Sequence, residues 1–292
     1  MASVSAGYDA ILARFRAWAM GREDLRAAFV LGSRARRERP ADEWSDLDLL
    51  LLTTDPGLYL DDAEWVAALG TPWLTFVEGQ AVGEGRERRV LFAGGLDVDF
   101  APIPVETARA FTAQGWPPEI ATILRRGVSP VVDKDGLASL FESVLASAPV
   151  APVPSEQEFS GLLNDLWYHV VWTTKKLRRG ELWTALECLD GYLQWRLLAL
   201  IRWHARATHG PDYDTWHAGR FIERWADPRA AAGLREVFAR YEARDVARAL
   251  LALLALTHTL GTETAARLGY AYPAEGEAAS TTWVRAALAG LE

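Results

Sequence analysis

With 292 residues, 50% of them apolar and 24% charged, the chain has material for two packed domains. A single cysteine, Cys188, excludes a disulfide framework and a thiolate metal site built within one chain, and fits a reducing cytoplasm. A net charge of −8 argues against a broad nucleic-acid surface and suits a cationic small-molecule partner. Residues 1–10 lack the basic and apolar stretches of a signal peptide. The longest apolar run, 247–256, is broken by Arg248 and too short to span a bilayer, so the expectation is a soluble, cytoplasmic protein with no membrane partner.

Residues 6–20 carry Ile11, Leu12, Phe15, Trp18 and Ala19 at helical spacing, with Gly21 as a stop, which predicts a first helix. Short apolar runs at 27–31, 47–53, 74–77, 90–92 and 96–101 predict buried strands, and helical patterns at 61–69 and 105–114 lie among them. Val131 and Val132 predict a last strand, Asp133-Lys134-Asp135-Gly136 a turn, and 137–145 a helix. Pro149, Pro152 and Pro154 block a helix through 147–155 and mark a linker, dividing the chain into residues 1–148 and 149–292. Beyond it, helix-period blocks at 159–179, 181–208, 219–226, 230–241 and 245–268 predict an α-helical bundle. The fold class is therefore α+β: a mixed sheet with helices, then a bundle.

The chemistry-bearing segment is Leu31-Gly32-Ser33-Arg34, followed by Asp46-Leu47-Asp48 and the apolar run 49–52. Gly32 lets backbone approach a phosphate closely, Ser33 offers a hydroxyl and an amide N–H, and Arg34 adds positive charge. On a strand, Asp46 and Asp48 project to one side and Leu47 and Leu49 to the other. Neighbouring carboxylates repel unless a cation lies between them, and Mg²⁺ takes carboxylate oxygens together with substrate phosphates. Leu96-Asp97-Val98-Asp99-Phe100 supplies a third acid, and Asp99, the more interior of the two, is the choice. Three acids suit a two-metal arrangement on a nucleoside triphosphate. With no Gly-Lys dipeptide, and with Gly83 and Gly85 not completing Gly-x-Gly-x-x-Gly, kinase and dinucleotide-enzyme readings lose their phosphate loop.

This order of motifs resembles the polymerase-β-like nucleotidyltransferase superfamily. Over nearly the whole chain it resembles the aminoglycoside 6-adenylyltransferase (streptomycin adenylyltransferase) family. The closer resemblance rests on Leu31 to Arg34, Trp44-Ser45-Asp46-Leu47-Asp48, Val98-Asp99-Phe100, Val132-Asp133-Lys134-Asp135-Gly136, Asn164-Asp165-Leu166-Trp167, residues 175–181, and Leu268-Gly269-Tyr270-Ala271-Tyr272-Pro273. It implies a nucleotidyltransferase domain followed by a helical acceptor-binding domain, with the active site in the cleft between them. Ser33 and Arg34 are then placed on the triphosphate, Asp46, Asp48 and Asp99 on Mg²⁺, and Lys175 matches the family lysine. The implied reaction moves AMP from Mg-ATP to a hydroxyl of a streptomycin-like aminoglycoside, releasing pyrophosphate and inactivating the antibiotic. Asp165 stands where the family pattern has glutamate and Arg220 where it has lysine, which leaves the acceptor's identity open. The competing readings are the same chemistry on a different small hydroxylated acceptor, and a non-catalytic nucleotide-binding protein that keeps the fold. Three converging acids argue against the second.

Asp165 reads as the start of a helix whose face continues through His169 and Trp172, where it binds an acceptor amine or removes a hydroxyl proton; the plain alternative is a capping or exposed acid. Glu78 and Asp99 are the other candidates for the base. Lys175 keeps the family distance from Asp165, while helix geometry puts Lys176 nearer the same face. Trp167, Trp172, Trp183, Trp195 and Trp203 are expected mostly in the core. His204, His209 and His217 lack the i, i+4 spacing of a zinc pair, and Gly210-Pro211 interrupts them, so no zinc is expected there.

Overall fold

A computed structural model describes residues 4–36, 38–80, 83–147 and 153–291. The chain divides into two compact units, Met1–Pro149 and Val150–Glu292. The linker residues Pro149 and Pro152, and with them the expected boundary, lie outside the described residues.

The first unit runs α1 (Val4–Met20), β1 (Leu25–Leu31), β2 (Leu47–Thr53), the short α2 (Gly57–Leu60), β3 (Pro72–Gly79), β4 (Arg86–Phe92), β5 (Leu96–Pro104), α3 (Val105–Gln114), α4 (Pro118–Leu124), β6 (Ser129–Asp133) and α5 (Glu142–Ala146). Its six strands form one sheet, in the order β3-β4-β5-β2-β1-β6, antiparallel except for the parallel pair β2 and β5. Strand alternation sends Leu47, Leu49, Leu51, Ala28, Val30, Val98 and Phe100 to one face, where they pack on Ile11 and Phe15 of α1. Leu50, Leu52, Ala27 and Phe29 take the other face, against Val105 and Ala108 of α3, Leu124 of α4 and Val144 of α5. With both faces covered, the central strands read as continuous apolar runs. By the same alternation Asp48 and Asp99, register partners across β2 and β5, share the second face.

Edge and turn segments depart from the sequence reading. The run 74–77 is not buried: β3 is the edge of the sheet, and Trp73, Leu74 and Phe76 are exposed. Residues 61–69 are not an α-helix but contain a 3₁₀ turn, Glu64–Ala68, where the Asp62 side chain accepts the Glu64 N–H at 2.9 Å. The block 137–145 splits into a 3₁₀ turn, Leu137–Phe141, and α5, and the Asp133 carboxylate accepts the N–H groups of Leu137 and Ala138 at the start of that turn. Helix α4 was not foreseen.

The second unit contains α6 (Glu156–Arg178), α7 (Leu182–Glu187), α8 (Gln194–His209), α9 (Ile222–Trp225), α10 (Pro228–Val237), α11 (Ala243–Leu268) and α12 (Ala274–Leu288). A capping box starts α6: the Glu158 N–H donates to Ser155 Oγ at 3.2 Å, and the Ser155 N–H to the Glu158 carboxylate at 2.7 Å. Asp165 consequently lies inside α6, not at its start, and is no cap. Helix α11 is long and apolar enough to cross a membrane by length and composition, against the expectation from residues 247–256. Yet 56% of its apolar window is buried inside the unit, and Val246, Leu250, Leu253 and Leu260 are fully enclosed, which makes it the core helix of the bundle.

The block 181–208 is interrupted by a π-helical turn, Cys188–Leu193, between α7 and α8. The block 219–226 contracts to α9 because Ala218 and Phe221 adopt positive φ (52° and 57°), and 230–241 stops at Val237. Helix α12 was not foreseen. Among the tryptophans, Trp167 is buried, Trp172 and Trp203 pack half-buried on the core, and Trp183 and Trp195 are exposed, so the core expectation fails for the last two.

Candidate active site

The turn after β1 is shaped by contact with β2. Gly32 has φ +64°, and a Cβ there would lie 2.2 Å from Asp48 Oδ2, so only glycine brings the turn this close to the carboxylate. Ser33 Oγ is buried and has no hydrogen-bond partner within the protein. Arg34 donates from Nε to the Asp46 carbonyl and from Nη2 to the Ser45 carbonyl, both at 2.9 Å, with its guanidinium 3.7 Å from the centre of the Tyr8 ring. Two of its donors thus fasten the Gly-Ser turn to the segment that presents Asp46.

Asp46, Asp48 and Asp99 converge, with one carboxylate oxygen of each within 4.8 Å of the others. Asp99 is buried, its Oδ1 has no partner, and its Oδ2 lies 3.3 Å from Arg89 Nη1. Burial pushes the Asp99 carboxyl up to about 7, against the pull of Arg89, and Asp97, Glu87 and Asp48 push the same way as burial. Asp97 stays outside the cluster, and burial and Asp46 raise it too.

Arg89 is the residue the sequence reading missed. It faces Asp99 across β4 and β5, and it also pairs with Glu78 and with Glu87, the latter at 3.0 Å. Burial raises Glu87 above the usual carboxylate range. The available signal was Arg86-Glu87-Arg88-Arg89, a charged stretch that alternates across a strand: Arg88 points the other way and donates to the Tyr59 carbonyl at 2.8 Å and to Thr75 Oγ1 at 3.0 Å. Glu78 sits on the exposed edge strand with its carboxylate held by Arg89.

In the second unit, Asp165 is embedded in a polar network. Arg196 Nε lies 2.7 Å from its Oδ2 and His169 Nδ1 2.8 Å from its Oδ1, and the Tyr192 hydroxyl donates to it at 2.8 Å. Lys175 is exposed, 5.6 Å from the centre of the Trp283 ring, at a groove of about 600 Å³ lined by Trp172, Lys175, Lys176, Arg178, Arg179 and Trp283. Lys176, nearer the Asp165 face by helix geometry, is paired with Glu181 at 2.8 Å.

A second cluster joins His204, Asp227 and Glu263, again within 4.8 Å. His204 is buried with Nε2 2.9 Å from Glu263 Oε2, and Arg229 spans both acids at 2.7 to 3.0 Å. A guanidinium therefore already takes the cation position. His209 stacks on Tyr213, and neither His209 nor His217 belongs to this cluster.

The pattern of the family described as streptomycin adenylyltransferase matches residues 7–287. The aminoglycoside 6-adenylyltransferase of Bacillus subtilis (strain 168) is 21% identical over 265 residues, covering 89% of this chain and 90% of that protein. The aminoglycoside 6-adenylyltransferase of Campylobacter jejuni is 21% identical over 269 residues and covered to 89% on both sides. Among solved structures, an aminoglycoside 6-adenyltransferase from Bacillus subtilis aligns over 97% of both chains, at 18% identity and a TM-score of 0.47.

Proposed function

The chain belongs to the streptomycin adenylyltransferase family, a family of nucleotidyltransferase enzymes, and from that premise we propose that it moves AMP from Mg-ATP to a hydroxyl of a streptomycin-like aminoglycoside in the cytoplasm, releasing pyrophosphate. One observation carries the proposal: three acids converge beside a Gly-Ser turn with Asp99 Oδ1 and Ser33 Oγ buried and unpartnered. Such oxygens suit a hard divalent cation and a phosphate, since an unpaired buried polar atom costs free energy until a ligand satisfies it.

In this reading residues 1–148 form the nucleotidyltransferase domain and residues 149–292 bind the acceptor. Asp46, Asp48 and Asp99 hold Mg²⁺, which when bound neutralises charge on the triphosphate and the departing pyrophosphate. Gly32 and Ser33 bring backbone and hydroxyl to the phosphates, Arg34 keeps the turn and Asp46 in register, and Lys175 contributes a cation to the nucleotide. Asp99, whose Oδ1 is buried and has no partner within the protein, takes the proton of the acceptor hydroxyl as the new O–P bond forms and the bond to pyrophosphate breaks. That role suits it better than Glu78, held by Arg89 at the sheet edge, or Asp165, paired with Arg196. Asp165 contacts an acceptor ammonium or guanidinium instead.

A different acceptor with the same chemistry is favoured by one observation: the Asp165 carboxylate is already engaged by a cation of the chain. Incubating the protein with Mg-ATP and a panel of aminoglycosides while following pyrophosphate release separates the readings. Release with streptomycin supports the first, release with another acceptor only the second, and no release with any acceptor refutes both.

A further inference from the structure

We propose that Arg196 is a built-in competitor for the acceptor's cation, occupying the Asp165 carboxylate of the free enzyme and setting how strongly a cationic acceptor must bind to displace it. The inference rests on Asp165 as an acceptor contact and adds a specificity-determining residue to that site.

Both oxygens of Asp165 meet groups of the chain: Arg196 Nε lies 2.7 Å from Oδ2, the Tyr192 hydroxyl is shared between Oδ2 and Oδ1 at 2.8 and 3.0 Å, and His169 Nδ1, hydrogen-bonded to the Asp165 backbone carbonyl at 3.0 Å, lies 2.8 Å from Oδ1. Arg196 Nη2 also donates to the Tyr192 hydroxyl at 2.9 Å, and its guanidinium lies 4.8 Å from the centre of the Tyr192 ring. The network joins two i, i+4 pairs, Asp165 with His169 on α6 and Tyr192 with Arg196 across the junction of the π-turn and α8. π-turns concentrate at functional sites. Tyr168, His169 and Tyr192 form a run of ring contacts, 5.2 and 4.3 Å between centroids, that leads to the carboxylate, and Tyr168 and Tyr192 are exposed. Aromatic faces beside a carboxylate favour cationic ligands.

Arg196 is built to leave where Arg229 is not. Arg229 is pinned between two acids, whereas Arg196 pairs with one, Asp165; both side chains are partly exposed, 43% for Arg196 and 56% for Arg229, so the number of acids sets them apart. An ion pair that exposed shifts an equilibrium by no more than about fivefold, so displacing it weakens a cationic acceptor by at most that factor, and added charges on the acceptor offset the loss.

The test is calorimetric titration of streptomycin into the full-length wild type, Arg196→Gln and Asp165→Asn, with steady-state KM values alongside. Removing the competitor should tighten streptomycin binding about three- to fivefold and lower the acceptor KM likewise, with the ATP KM as the internal control. Arg196→Lys, which keeps a charge but not the fork spanning Asp165 and Tyr192, should move in the same direction by less, so the result does not hang on one variant folding. Unchanged or weaker binding in Arg196→Gln, with binding lost in Asp165→Asn, overturns the role of Arg196 and leaves Asp165 as the acceptor contact. Unimpaired binding in Asp165→Asn, or no binding to any of these chains, overturns the acceptor reading and this inference with it.

Discussion

Among the described residues two clusters each bring three possible cation donors within 4.8 Å of one another, yet their electrostatics are opposite. In the His204, Asp227 and Glu263 cluster, Arg229 bridges both acids, and its hydrogen bonds hold each carboxyl down at about 2. In the Asp46, Asp48 and Asp99 cluster, Arg89 reaches only one oxygen of Asp99, at 3.3 Å, while also serving Glu78 and Glu87, and burial leaves Asp99 near 7. Proximity of acids alone therefore does not mark a cation site. What sets the Asp46, Asp48 and Asp99 cluster apart is the buried, unpartnered Oδ1 of Asp99, a carboxylate whose ionised form desolvation destabilises in the absence of a cation.

Asp46→Asn and Asp48→Asn should each lower kcat/KM by about a thousandfold or more with the thermal melt intact, and steady-state kinetics within tenfold of wild type would place the cation elsewhere. Gly32→Ala comes next. Its Cβ would lie 2.2 Å from Asp48 Oδ2 at a φ of +64°, so about a hundredfold loss of kcat and about 1–2 kcal/mol of stability are expected from kinetics and urea unfolding; unchanged kcat would uncouple the turn from the site.

A smaller effect separates the two clusters by pH. Because the folded-state carboxyl of Asp99 is raised, its contribution to stability without metal is fully present below its ordinary value of 3.8, is lost as the pH rises to about 7, and is level above that. Asp99→Asn in EDTA should therefore melt higher than wild type at pH 8, with the gain shrinking toward pH 4, and saturating Mg²⁺ should cancel the advantage. The smallest effect belongs to Arg229→Ala. Asp227 and Glu263 are depressed, so the stability they contribute is present above their ordinary values and lost as pH falls through about 2. The variant should melt below wild type at pH 7 and match it near pH 2, and a difference that persists there would assign Arg229 a packing role.

The central strands and the acids on them were legible because a doubly covered sheet writes itself as apolar runs: β2 falls on residues 47–53, and Asp48 meets Asp99 in register. The Gly32 turn was legible for the same reason, as a glycine directly after an apolar strand. Segments whose conformation depends on distant partners were not. β3 carries the apolar composition of a buried strand, but its place at the edge follows from strand order, which no local pattern encodes. Arg89 gains its meaning only from the register that sets it against Asp99, and Arg196 from the helix packing that brings it to Asp165. Helix α12 is rich in alanine and threonine, with Val284 and Leu288 the only side chains it fully buries among the described residues, too sparse an apolar stripe to read as a period.

On the proposed reading the Asp46, Asp48 and Asp99 cluster holds the divalent cation and the His204, Asp227 and Glu263 cluster does not. Titrating Mn²⁺ into the full-length protein with a non-hydrolysable ATP analogue, and following protein-bound metal by electron paramagnetic resonance, distinguishes the two. The spectrum of bound Mn²⁺ should be lost in Asp48→Asn and retained in Glu263→Gln; retention in Asp48→Asn together with loss in Glu263→Gln would contradict it.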